Sequence, residues 1–235
     1  MRSMSAPARI RSTRDRPAKP PLSEAAIVEA ALAVTRAESL QAVTMRRVAA
    51  ELDTGAASLY VYVRNREELL SAMFDRVVGA LALLAPDPAR WREQIHDLLR
   101  EFREALEVHP GLAAALTGEM PITESGLTWL ENLLGILLAG GIAAQDAAWA
   151  CDILALIVTA TATEADVRRA AGHTLDAGLG DTVARMRATF AGLAPERYPH
   201  LVAHASQLVA GGGDDRFQFA VDTVLDGLVA RSARG

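Results

Sequence analysis

Residues 44–70, TMRRVAAELDTGAASLYVYVRNREELL, hold the densest set of side chains in the chain that could read a nucleic acid. Arg46 can present two parallel N–H donors to guanine O6 and N7, the commonest specific contact to a base edge. Arg47 is a second cation beside it. Ala56, Ala57 and Ser58 are small enough to let a helix approach the floor of a groove. Tyr60 and Tyr62 carry phenolic hydroxyls that suit phosphate oxygens, contacts that position a protein without specifying sequence. Val61 can meet a thymine methyl, and Arg66 stands at a helix N-terminus, where a phosphate is favoured. Each has a plainer reading: Arg47 simply solvated, Tyr60 partly in a core, Arg64 in a surface ion pair with Glu67 or Glu68. Catalysis has no comparable support, because no Gly-rich phosphate loop, nucleophile elbow or paired-carboxylate pattern is present.

The elements that must position these residues are short. Thr44 is an N-cap candidate, and Met45, Val48, Ala49 and Leu52 follow at i, i+3, i+4, i+7, one buried face of a helix. Asp53, Thr54 and Gly55 break that run, Gly55 serving either as an unusual backbone angle or as a weak N-cap. A second helix of barely two turns places Leu59 and Val63 on one face and Ser58, Tyr60, Val61 and Tyr62 on the other. Asn65 and Glu68 then open a longer helix through Leu69, Leu70, Met73 and Val77 in a capping-box pattern. A helix of two turns is not stable alone, so its polar face is presented for use. The arrangement over about 44–63 is a helix-turn-helix.

The rest of the 235 residues reads as helices, 51% hydrophobic but only 5% aromatic. No segment alternates with a strand period, so the expected fold is all-α. Three parts follow: a basic tail over 1–21 that looks disordered, a three-helix DNA-binding head over 22–82, and a larger helical domain over 83–235. Ser23 caps the first helix, with Ile27, Ala31 and Val34 inward. The helix from Arg66 is expected to run to about Leu84, ahead of Pro86. Ile95, Leu98, Leu99, Phe102 and Leu106 form a strong stripe, and Leu127, Leu130, Leu134 and Leu138 form another. Ala144 to about Val167 is the most continuously apolar helix, and Asp214 opens the last.

The net charge of −5 would argue against a nucleic-acid partner, but its distribution reverses that argument. Residues 1–76 carry 12 Lys/Arg and 9 Asp/Glu, whereas the remainder carries 12 and 20. A basic front and an acidic back suit a DNA-facing end and a body that DNA avoids. The tail arginines are either solvated or a backbone-tracking arm. The single Cys151 cannot form an internal disulfide and suits a cytoplasmic core position. Ala147–Ala165 contains Asp152, Glu164 and three threonines, so it reads as a buried helix and not a membrane span. His200 and His204 have i, i+4 spacing but lack a third ligand, so no metal site is expected.

On Thr44–Ala49, Ser58-Leu59-Tyr60, Tyr62-Val63 and Asn65–Leu70, the front of the chain resembles the tetracycline-repressor (TetR) family of transcriptional regulators. Leu130-Glu131-Asn132, Asp215–Phe219 and Leu225–Leu228 resemble the C-terminal domain of the same family. The resemblance implies a homodimer through the helices at about 144–167 and 214–231. It also implies a double-stranded DNA operator with pseudo-palindromic half-sites, and a small-molecule effector bound in the body that releases the DNA. Leu98, Phe102, Leu116, Met120, Trp129 and Glu164 are the candidate pocket residues, with Trp149 a further aromatic; for each aromatic, core packing is the plainer reading. Positions that chelate magnesium–tetracycline in the tetracycline repressor itself are apolar here (Ala82, Leu98, Leu116), so no cofactor is implied. Asp53 departs from the family pattern, which has glycine after the first helix of the motif. Ala56 and Ala57 leave few polar readers, which keeps open an alternative: a helical small-molecule-binding or interaction protein with degenerate DNA recognition.

Overall fold

The computed structural model describes residues 21–116, 122–171 and 177–233, and every regular element among them is helical. The head comprises α1 (Glu24–Ala37), a single 3-10 turn at Leu40–Ala42, α2 (Met45–Glu51), α3 (Ala56–Leu59) and α4 (Arg66–Val78). The body comprises α5 (Trp91–Glu107), α6 (Leu112–Ala115), α7 (Glu124–Ala139), α8 (Ala144–Ala170), α9 (Ala177–Ala191), α10 (Pro199–Ala203), α11 (Ala205–Leu208) and α12 (Gly213–Ser232).

Local chemistry starts the head helices where the sequence predicts. Ser23, Thr44 and Asn65 each accept a backbone N–H of the first turn, from Ala26, Arg47 and Glu68 respectively, and so satisfy donors that have no partner within the helix. Between α2 and α3, the N–H of Asp53 bonds to Ala50 O and that of Thr54 to Ala49 O. This is a Schellman ending, and it requires a left-handed residue at position 53. Asp53 supplies it at φ 48°, a conformation that glycine adopts at lower cost. Gly55 is extended (φ −82°) and serves as an N-cap without a side-chain bond.

Two expectations need correction. The helix from Arg66 ends at Val78, not near Leu84. Gly79 closes it, and the chain beyond is tied to α7: the Asn132 amide accepts from Leu84 N–H at 3.0 Å and donates to Leu84 O at 2.6 Å. The α7 stripe also has a different phase. Trp129, Leu133, Ile136 and Leu137 are buried, whereas Leu127, Leu130 and Leu138 are exposed. A helix apolar on nearly every side leaves its buried face undetermined by period alone.

The α5 stripe is buried as predicted. It packs on α7 and α8, and Gly140 lets Trp91 close the end of that layer, since a Cβ there would fall 2.4 Å from the indole. α12 buries Phe217, Val221, Leu225 and Leu228. Polar bonds fasten it to its neighbours: Arg92–Asp226 (2.6 Å), His96–Asp222 (2.9 Å) and Arg103–Asp214 (2.6 Å) to α5, and Arg231–Asp146 (2.8 Å) to α8. Among the described residues one helix, α8, is long and apolar enough to cross a membrane by length and composition. Its buried residues from Ala147 to Ala165 form a core face, which marks it as the central helix of the body.

Replacing Asp53 with glycine relieves the left-handed strain at the turn of the motif. Asp53→Gly is expected to raise the unfolding free energy by about 0.5–1 kcal/mol, read as a higher urea midpoint at unchanged slope.

Candidate DNA interface and effector body

α3 is one turn long, continued by a tight turn in which the N–H groups of Tyr62 and Val63 both bond to Leu59 O. Leu59 and Val63 are wholly buried in the core that also holds Met45, Val48 and Ala49 of α2 and residues of α1 and α4. With those two side chains inward, the intervening residues must point out. Tyr60, Val61 and Tyr62 are 52%, 79% and 40% exposed, far more than apolar and aromatic side chains in a packed turn need to be. Ala57 and Ser58 are exposed beside them, and Ala56 is half-buried against the core. Tyr60 therefore stands on the outward face and not in the core.

The arginines separate into two groups. Arg46 is exposed, and its guanidinium has no partner among the described residues. Arg47 is engaged: it bonds to Glu38 (2.8 Å) and to Glu51 (2.8 Å), and those carboxylates, Glu51 foremost, raise its pKa. Arg64 pairs with Glu68 at 3.0 Å. Arg66 turns away from the outward face; its Nε donates to Val43 O (3.1 Å) and its terminal nitrogen to Leu40 O (3.3 Å). The helix N-terminus expected to offer Arg66 to a phosphate instead uses it to tie down the connection before α2. The i, i+4 spacing of Arg47 and Glu51 was a sequence signal for the first of these pairs. No comparable signal marks Arg66, because its partners are backbone carbonyls more than twenty residues away.

In the body, Leu98, Phe102, Leu116 and Trp129 are all buried in one apolar core. The rings of Phe102 and Trp129 lie 4.8 Å apart at 52°. The Trp129 indole N–H is buried without a hydrogen-bond partner among the described residues. Met120 lies outside the described residues. Glu164 is not the buried carboxylate its apolar neighbours suggested: its side chain is 69% exposed, with a loose 3.8 Å contact to Arg168. Trp149 is likewise outward, 60% exposed. α8 is apolar on two faces, and both residues lie on the outer one. Among the described residues of the body, the buried polar side chains are instead Arg103, His109 and Thr159, with Asp166 largely covered at 12% side-chain exposure.

A small head that buries the back of a one-turn helix and projects its front, joined to a larger helical body with an apolar interior, is the architecture of a one-component helix-turn-helix regulator. The chain belongs to the TetR family: residues 27–73 match the model for bacterial regulatory proteins of the tetR family, and residues 85–232 match the tetracyclin repressor-like C-terminal domain. Among curated relatives, the HTH-type transcriptional repressor DrrR1 of Streptomyces coeruleorubidus is 32% identical over 219 residues, spanning 89% of this chain and 78% of the relative. Among solved structures, the TetR family protein ActR of Streptomyces coelicolor in complex with actinorhodin superposes with a TM-score of 0.81. That match has 34% identity and covers 90% of this chain and 97% of the other. ActR in complex with (S)-DNPA gives 0.79 at 33% identity, covering 90% and 99%. The protein is thus a ligand-responsive transcriptional regulator of the repressor type, with its DNA-binding motif in the head and its ligand-binding domain in the body.

With Arg47 and Arg64 paired with carboxylates, Arg46 is the exposed arginine of α2 that has no partner among the described residues. Arg46→Ala is expected to weaken operator binding at least about tenfold, measured by fluorescence anisotropy. Arg47→Ala is expected to change it by less than about threefold.

Proposed function

We propose that the chain acts in the cytoplasm as a homodimer, places two α3 helices in successive major grooves of a pseudo-palindromic operator, and is released by a planar, polycyclic aromatic effector held in the body. The observation that carries this reading is the outer face of the α8–α12 pair. On α8, Trp149, Ile153, Leu156 and Val167 are exposed; on α12, Phe219 and Val229 are exposed, with Phe219 at 74%. These are side chains of the kind that dominate protein interfaces, and they lie on two long neighbouring helices. Paired with a second copy they form a four-helix bundle, and a two-fold bundle sets the two heads at a fixed separation. Operator half-sites one helical turn apart, about 34 Å, or a multiple of it, match such a dimer.

The effector class follows from the interior and from the similar protein. The candidate pocket is aliphatic and aromatic, with the Phe102–Trp129 pair for ring contact and the indole N–H as an unpaired donor. A flat ring system with a carbonyl or quinone oxygen suits both. ActR, similar along its whole length, has been crystallised with actinorhodin. Release requires that the effector bind one head separation better than the other, so that occupancy shifts the population away from the DNA-competent state.

Trp149→Glu buries a charge in the proposed bundle. It is expected to convert the dimer to a monomer in sedimentation velocity and to abolish operator binding while the helical circular dichroism is retained; a dimer that persists with unchanged DNA affinity would refute the interface. Actinorhodin titrated into the operator complex is expected to dissociate it, and Trp129→Phe, which leaves a smaller aromatic ring and removes the donor, is expected to raise the required concentration about tenfold. A complex unaffected by saturating actinorhodin would remove this effector class.

A further inference from the structure

The corner between α5 and α6, His109–Gly111, touches the head and the core of the body at once. Pro110 O accepts the N–H of Leu40, in the 3-10 turn that leads into α2, at 3.0 Å. His109 Nε2 lies 3.1 Å from a terminal nitrogen of Arg36, in the last turn of α1, and His109 Nδ1 lies 2.8 Å from Ala105 O. Arginine can only donate and a carbonyl can only accept. The imidazole is therefore neutral, with its proton on Nδ1 and its lone pair facing Arg36. Burial, followed by the charge of Arg36, holds its pKa below the ordinary histidine value, in keeping with that state. On the other side, the N–H of Gly111 donates to Asp166 Oδ2 of α8 at 2.7 Å, and Asp166 is itself held by Arg169.

The contact between corner and turn is close. Gly111 has φ +90°, and a Cβ there would lie 3.0 Å from Leu40 Cβ, so any other residue would strain the backbone and press the two segments apart. Leu40 is buried, and its carbonyl accepts from Arg66 at the start of α4. Arg66 also holds Val43 O, one residue before the Thr44 cap of α2. A continuous line of bonds thus runs from Asp166 on α8, through the corner and Leu40, to the residues that start α2 beside Arg46.

We propose that Asp166 is a positioning residue, and that with the His109–Gly111 corner it forms a second strut, separate from α4, by which α8 sets the placement of the DNA-reading head. α8 lines the body core and carries the outer apolar face, so a shift in it moves the Pro110 carbonyl against Leu40 and with it the start of α2. The strut deepens the effector-released reading above, but its existence can be tested without any effector.

Hydrogen–deuterium exchange on the full chain compares the wild type with Asp166→Ala, Asp166→Asn and Asp97→Ala. Asp166→Ala is expected to accelerate exchange over residues 36–44 about tenfold, as loss of a hydrogen bond to a charged group implies. Exchange in α7 should stay unchanged. The Asn variant, whose amide oxygen can still accept from Gly111, is expected to restore protection, and Asp97→Ala, which removes a surface carboxylate of α5 paired with Arg100, to leave it unaltered. Equal protection of 36–44 in Asp166→Ala and wild type would overturn the proposal, as would equal acceleration throughout the body. Operator affinity gives a second readout: Asp166→Ala is expected to lower it at least about threefold and Asp166→Asn to recover it. A wild-type chain that bound no operator would sink the functional reading, while the exchange result would still decide the strut.

Discussion

A helix of one turn cannot hold its own shape, and the head depends on that constraint. α3 gains few internal hydrogen bonds for the dihedral angles it fixes, so burial of Leu59 and Val63 must hold it. Once those two side chains are inward, the positions between them have no choice of direction, and Tyr60, Val61 and Tyr62 face out. The surrounding devices serve the same end. Thr44 starts α2, the left-handed Asp53 turns the chain sharply enough for α3 to pack back, and Arg66 fastens the connection before α2. The reading face is therefore rigid by virtue of what lies behind it.

Charge on that face is sparing. Arg47 and Arg64 are balanced by Glu38, Glu51 and Glu68, which leaves Arg46 and two phenols as exposed polar groups beside them. On the proposed reading, such a head gains affinity chiefly from phosphate contacts, and its binding weakens as salt rises. The acidic body contributes in the opposite sense: residues 77–235 carry 20 Asp/Glu against 12 Lys/Arg, which disfavours its approach to DNA and leaves the head as the part that docks.

What was legible in the sequence was whatever local signals determine. The three N-caps, the helix-turn-helix and the inward pair Leu59 and Val63 follow from residue types at short spacing, and the structure has them all. Where a helix is apolar on more than one side, period no longer selects a face. Leu127 and Leu130 of α7 therefore lie outside, with Trp129 and Leu133 inside, and Glu164 and Trp149 of α8 face outward despite their apolar neighbours. Contacts between distant segments left no trace in local pattern. Arg66 to Val43, Asn132 to Leu84 and Asp166 to Gly111 join side chains to backbone groups that every residue type carries, so no spacing announces them.

In the proposed dimer, two identical heads read a two-fold symmetric duplex. Selection of the full-length protein against random double-stranded DNA, followed by sequencing, is the sharpest test of that arrangement. The expected product is an inverted repeat whose half-site centres are separated by about 34 Å, or a multiple of it. Enrichment of a single half-site, or of no sequence at all, would contradict it.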